Sequence, residues 1–436
     1  MIKPVHKMPK NDWIQSRVTP LYRFPGNTVM AVVATALCLV CTDPVHAQER
    51  VRTAQGHLEI ESFKNPLIFF RLGPLQEELV GNVGLEYTDN SGLTNTDKIA
   101  RLRVSQGLDL NSIWLLSHLS SLRFDFAGQL YEDFYQHGRT ILDFAIPNAL
   151  LQFEFPIADF QVRLYDQFSY IQNPTTNPTA TNTSNANSLT NTIGAEVSTD
   201  WHLIVFSLAG DYTYNNQSGS TAQGATNPTT TGTNNSYRIT PSIGFHFNPD
   251  ILYGVNASLT RTEGSGGGNI TGSSTVSSLN VGPFFRGKLS RFTDVDLAAG
   301  ASLFDTQPSM APTYYYRVAL RHQFNRNLQA FFSSSHDLFL TTGTDLTEVT
   351  IFSLGAQANL TRFITFTTSP FYSFGDEKTG PTQGDYKQYG VELALTWRPH
   401  RRWQTGITYN FIRRIGNNNT GSYIQNTVAF GVSYRF

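Results

Sequence analysis

The sequence predicts an all-β protein: a transmembrane barrel built as an antiparallel meander of about 18 strands, with 16 as the smaller even count. Three observations predict it. Apolar and polar residues alternate with a period of two through most of the chain after residue 76, and no long window carries a helical period. The connections between alternating stretches are by turns short and long. The chain ends "TVAFGVSYRF", an alternating strand that stops on an aromatic residue, Phe436.

Composition narrows the class. The 436 residues are 40% hydrophobic but only 15% charged, against about 25% charged in an average soluble domain. Asn, Thr, Ser and Gly replace the missing charge. A formal net charge of −1 supplies no basic face for a nucleic acid, so none is expected as a partner. Both cysteines, Cys38 and Cys41, fall in the N-terminal leader. The rest of the chain therefore offers no thiol for a disulfide, for catalysis or for a metal.

Residues 1–47 read as a signal peptide. Lys3, Lys7, Lys10, Arg17 and Arg23 precede the apolar run "VMAVVATALCLVC", and Val45 and Ala47 stand at the small-residue spacing of a cleavage site. The run is shorter than the roughly 20 apolar residues of a spanning helix. Residues 48–76 form a short periplasmic segment or plug, too short for a plug domain. The barrel occupies 77–436.

Within the barrel each strand declares its faces. In "ARLRVSQGLDL", Leu102, Val104, Leu108 and Leu110 oppose Arg101, Arg103, Ser105 and Asp109. In "SLRFDFAG", Leu122, Phe124 and Phe126 oppose Arg123 and Asp125. In "DFQVRLYDQFSY", Phe160, Val162 and Leu164 oppose Gln161, Arg163 and Tyr165. The phase slips around Pro147–Asn148, which predicts a bulge. Asp166 falls on an apolar face, which predicts a register change there or a neighbouring subunit. Short turns are expected at Pro156–Ala158, Asp200–His202, Asn248–Asp250, Asn325–Asn327, Thr361–Arg362 and Pro399–Arg402. Long polar connections start at Asn173 and Asn215. Pairs such as Tyr212 and Tyr214, Tyr314 and Tyr316, Tyr372 and Phe374, and Trp397 and Trp403 sit where interfacial girdles lie.

Lipid cannot satisfy backbone N–H and C=O groups, so a spanning sheet must close on itself. The final strand then pairs with the first, and its terminal aromatic looks like the assembly signal of bacterial outer-membrane barrels, read by the insertion machinery. Outer-membrane lipid and that machinery are the expected partners, and the outer membrane is the expected location. Oligomeric state is left open.

With apolar side chains toward lipid, the alternate set lines the lumen. This set includes Arg101, Arg103, Arg123, Asp125, Arg163, Glu196, Asp211, Arg238, Arg286, Asp296, Arg317, Arg321 and Glu392. Its charges either set ion preference across an open pore or pair across strands and fill a narrow one. Tyr165, Phe284, Tyr315, Phe331 and Phe363 share the lumen phase. No catalytic, cofactor or metal constellation is expected. The segment "SSSHDLF" places Ser335, His336 and Asp337 side by side, and adjacent strand residues point to opposite faces. His57, His118, His137, His202, His246, His322 and His400 are scattered without metal-ligand spacing.

The opening hairpin, "GLEYTDNSGLTNTDKIARLRVSQGLDLN", resembles the first hairpin of the β-barrel porin 2 family over roughly 30 residues. In that family a first strand ending in a Tyr/Asp/Asn cluster leads through a short loop to a strand ending in Gly-Leu-x-Leu. The resemblance implies an outer-membrane barrel and a link to exopolysaccharide secretion, and it transfers no functional residue. The expected function is a porin-like passive pore for small solutes or an exported polysaccharide. The alternative is a structural or adhesive barrel with a filled lumen and exposed Asn/Thr-rich loops; an outer-membrane hydrolase has the least support.

Overall fold

In the computed structural model, residues 70–93, 98–136, 138, 140–172, 183–221, 230–265, 273–305, 310–340, 346–377, 384–416 and 422–436 are described. The signal peptide read at 1–47 and most of the segment at 48–76 lie outside them. Strand β1 is short (Phe70–Leu72) and turns at Gly73, whose φ of 60° suits a residue without Cβ. The barrel strands follow: β2 (Leu75–Thr88), β3 (Arg101–Leu115), β4 (Ser121–Tyr135), β5 (Thr140–Ile157), β6 (Phe160–Gln172), β7 (Thr183–Trp201), β8 (Ile204–Thr221), β9 (Thr230–Asn248) and β10 (Ile251–Ser265). The ring continues with β11 (Ser273–Ser290), β12 (Thr293–Asp305), β13 (Met310–Gln323), β14 (Leu328–Leu340), β15 (Leu346–Asn359), β16 (Ile364–Glu377), β17 (Gly384–His400), β18 (Trp403–Gly416) and β19 (Tyr423–Arg435).

Strands β2 to β19 make a closed 18-stranded antiparallel meander in which each strand pairs with its sequence neighbours. The described residues contain no helix. The first barrel strand begins at Leu75, slightly before the expected boundary at 77. Strands of 13 to 19 residues exceed the 9–11 or so needed to cross a bilayer, so the ladders run on beyond the lipid. Part of the Asn/Thr-rich stretch expected as loop therefore pairs: Asn185 to Asn191 in β7 lie opposite Ser220 to Tyr214 in β8.

The short turns close by side-chain capping, which is what Asn, Asp and Thr supply at such positions. Asn248 Oδ1 accepts from the Asp250 amide at 2.9 Å, Asp200 Oδ1 from the His202 amide at 3.0 Å, and Asn325 Oδ1 from the amides of Asn327 and Leu328. Thr361 Oγ1 does the same for Phe363 and Ile364, both at 3.1 Å.

The expected bulge is present. Register shifts occur between Ile146 and Ala149 on one side of β5 and between Ala127 and Gln129 in the facing strand. Pro147 has no N–H to give a ladder, so the defect falls where it costs least. No register change occurs at Asp166: it stands opposite Leu151 and Ile193 with continuous pairing on either side of it, and it accepts a hydrogen bond from Asn191 Nδ2 at 3.0 Å. The amide gives the carboxylate one local partner on the exposed outer face.

The ring closes between β19 and β2. Arg435 stands opposite Val80, the Phe436 amide donates to the Leu79 carbonyl at 3.1 Å, and Arg435 Nε meets Glu78 at 2.6 Å. At the other end of the seam the Asp89 amide donates to the Asn426 carbonyl, and Asp89 accepts from the backbone and side-chain amides of Asn426, both at 2.7 Å. Both ends keep one register, so the last strand and the first are locked top and bottom.

Candidate functional site

The two faces of the ring are inverted relative to a soluble domain. Leu85, Leu108, Leu130, Leu151, Ile193, Ile239, Leu259, Leu354 and Phe430 share the outer face and are exposed. On the inner face Asp133, Gln388 and Ser302 are 0% exposed. Aromatics edge the outer face: Tyr212 with Tyr237 at 5.1 Å, Phe352 with Phe374 at 6.3 Å, Phe160 with Trp201 at 6.1 Å and Trp403 with Tyr434 at 5.2 Å. An apolar belt between aromatic girdles around a closed ring is the architecture of an outer-membrane barrel.

The inner face is a ladder of ion pairs. Arg103 donates to both oxygens of Asp133, at 2.7 and 2.9 Å, and its guanidinium lies 3.9 Å from the centre of the Tyr131 ring. Arg101, 1% exposed, bonds Glu86 at 2.7 Å and stands 3.7 Å from Asp133. Arg123 pairs with Asp125 at 2.5 Å, Arg163 with Glu196, and Arg238 with Asp211 at 2.8 Å. Asp296 is shared by Arg286 at 3.3 Å and Arg317 at 3.0 Å. Each of these pairs except Arg123–Asp125 joins residues directly opposite on adjacent strands or diagonal to them by one inward position. Close contacts of that kind let charges on a concave wall neutralise each other. Arg321 lies opposite Asp294 and Phe331 and is exposed, with no ion pair to another described residue. Glu392 lies on the same inner face, opposite Ser369 and Asn410.

Aromatic rings on this face lie over glycines of the next strand. A Cβ on Gly194 would sit 2.4 Å from the Tyr165 ring, and one on Gly355 1.9 Å from Phe331. Both glycines thus make room for a ring to lie along the wall instead of projecting across the lumen. Phe363 differs from expectation: it sits at a short turn, with the Arg362 guanidinium 4.5 Å from its centre. The sequence reading missed Phe371, Tyr386 and Tyr423, which share the inner face.

After β2 the chain turns inward at residues 90–93. Leu93, 2% exposed, packs against Ile412 and Tyr423, with Phe371 beside them. Ile412 and Tyr423 belong to the inner face, so Leu93 enters the lumen from its long-loop end. Side chains hold it there. Asn90 Nδ2 donates to the Ile424 carbonyl at 2.8 Å, Gln425 Nε2 donates to the Asn90 carbonyl at 3.0 Å, and Ser91 donates twice to the Ile99 carbonyl at 2.9 Å. Leu93 has a φ of 52°, a conformation uncommon for leucine that its surroundings must enforce.

His336 faces outward, stacked on Tyr314 with centroids 4.3 Å apart and bonded through Nδ1 to Thr350 Oγ1 at 2.8 Å. Ser335 and Asp337 are on the opposite face, so this triplet brings no nucleophile to a base. Among the described residues no group of three His, Cys, Asp or Glu side chains converges as a metal site.

No family model matches this chain, and no curated protein matches it. Solved structures similar to it include Pseudomonas aeruginosa OccK7, at 7% identity and a TM-score of 0.49, covering 84% of this chain and 99% of that one. Acinetobacter baumannii OccAB3 is similar at 9% identity and a TM-score of 0.44, covering 84% of this chain and 100% of that one. The copper transporter OprC is similar at 11% identity and a TM-score of 0.45, covering 84% and 81%. The assignment of the fold rests on the strand pairing itself.

The missed partners were legible in part. Across an antiparallel hairpin, a residue's partner lies as far beyond the turn as it lies before it. The turn at 116–120 therefore sets Asp133 against Arg103. Nothing local in the sequence signals that Leu93 folds inward.

Proposed function

We propose that the chain is a porin-like pore of the outer membrane, passively carrying small polar solutes, and that it is not an enzyme. The observation that carries this reading is a polar inner face in a closed ring of 18 strands, a size at which barrels leave an aqueous channel. Its short turns face the periplasm and its long connections face outside, as in other barrels of this class. Outer-membrane lipid and the insertion machinery are its partners. The likeness of its first hairpin to the β-barrel porin 2 family extends the cargo to an exported polysaccharide, and the rings lying flat along the wall suit sugar faces.

A second reading, a structural or adhesive barrel with a filled lumen, draws on the cross-strand ion pairs and on Leu93. One experiment separates the two. The purified folded barrel is reconstituted in a planar bilayer, and discrete conductance steps are expected. A fully folded preparation without steps would establish the filled barrel instead.

A further inference from the structure

The inner-face arginines described above are mostly neutralised by partners, but at the short-turn mouth the balance changes. A cavity of about 690 Å³ opens there between the turns after β15 and β17, the start of β2, the later half of β3 and the end of β19. Arg362, Arg398, Arg401, Arg402 and Arg435 line it, against only two carboxylates, Glu78 and Asp109. Glu78 is already committed to Arg435 at 2.6 Å, and Asp109 accepts from Asn82 Nδ2 at 3.3 Å. Gln404 also lines the cavity, and its Nε2 is buried with no hydrogen-bond partner. Neighbouring turns carry Arg291 and Arg326, whereas Asp159, Asp200 and Asp250 occupy the turns between β5 and β10. Positive charge is therefore gathered on one side of the mouth.

We propose that this cavity is a binding site for soluble oxyanions, solutes bearing carboxylate or phosphate groups, captured before they travel the lumen. Guanidinium groups present paired donors that match the two oxygens of a carboxylate or phosphate. Convergent like charges with low-dielectric walls raise the local concentration of counter-charged solute. Arg362 and Arg401 sit on two separate turns, so one small anion or one repeat of a chain can be held between them, with Arg402 beside Arg401 at 3.5 Å from the Tyr434 hydroxyl. The site deepens the pore reading, from which it takes its direction: the cavity is at the periplasmic end, so an anionic cargo is collected from the periplasm. The mouth thus selects a charged cargo, and the paired ladder beyond it offers a wall of low net charge along which that cargo is not trapped.

Calorimetry on the whole folded barrel in neutral detergent tests this without requiring conductance. Trigalacturonate and tripolyphosphate serve as soluble probes, with maltotriose as the uncharged control. Both anions are expected to bind at low salt and to weaken as salt rises, and maltotriose is expected not to bind. The variant R362S/R401S/R402S, checked for heat-modifiable folding, is expected to lose about tenfold or more in affinity for both anions, because charge-assisted bidentate contacts are lost. Failure of both anions to bind, or equal binding by the variant, overturns the proposal. If neither soluble anion binds while the variant alone loses affinity for phosphatidylglycerol vesicles, these arginines belong to lipid headgroups and the proposal fails. Binding in detergent without conductance steps in a bilayer would sustain the site and remove the pore.

Discussion

Arg103 and Asp133 meet through two hydrogen bonds, at 2.7 and 2.9 Å, across the ladder from β3 to β4. Asp133 is fully buried, and Arg101 stands 3.7 Å away on its other side. One carboxylate thus balances two guanidinium groups, with Glu86 assisting Arg101. Removing one partner of a buried pair leaves charge uncompensated and costs about 3–5 kcal/mol. Asp133→Asn should therefore lower barrel stability by about that amount, read as an earlier urea midpoint. An unchanged midpoint would mean that water reaches these arginines and screens them.

The ladder separates two arginines that the sequence reading treated alike. Arg317 shares Asp296 with Arg286, whereas Arg321 has no ion pair to a described residue. Arg321 faces Asp294 without an ion pair, and arginine stays charged at any accessible pH, so its field is the less neutralised of the two. Arg321→Ser should shift the reversal potential in a salt gradient toward cations. Arg317→Ser should shift it less, since Asp296 keeps Arg286. The Arg321 effect should shrink at high salt, where screening shortens its reach. Equal shifts in the two variants would show that pairing does not govern selectivity.

Leu93 sits in the lumen between Ile412 and Tyr423 with φ of 52°. Asn tolerates that backbone better than other residues with a Cβ and has no apolar side chain to bury there. Leu93→Asn should keep the turn and release the contact, so single-channel conductance should rise while heat-modifiable folding is retained. A folded variant with wild-type conductance would place the narrowest point of the channel elsewhere.

Phe436 contributes the last backbone donor of the seam, to the Leu79 carbonyl at 3.1 Å, and its ring meets Tyr434 edge-on at 5.1 Å. Deleting it removes one closing bond and the aromatic terminus together. The folded form in outer-membrane fractions should fall, while unfolding of whatever assembles should change by only about 1–2 kcal/mol, the scale of one lost hydrogen bond and one ring contact. Normal assembly of the truncated chain would show that Phe436 is not the assembly signal.

The sequence alone determined the class of this molecule. Period-two alternation assigns each side chain to one of two faces, and a chain that buries neither face in a second layer can satisfy its backbone only by closing. The turns at Asp200, Asn248, Asn325 and Thr361 were legible because their side-chain oxygens cap the backbone locally. The bulge at Pro147 was legible because proline cannot donate to a ladder. Register was only implicit, since it depends on where each turn begins. That is why Arg103 and Asp133 were not joined in advance, and why Asp166 suggested a slip that the pairing does not show. Tertiary structure alone decided what approaches across the ring. Leu93 and Tyr423 are far apart in sequence, and they meet only because β19 closes on β2. The arginines of two separate turns form one cavity for the same reason: their distance is set by the curvature of the closed sheet, which no local pattern encodes.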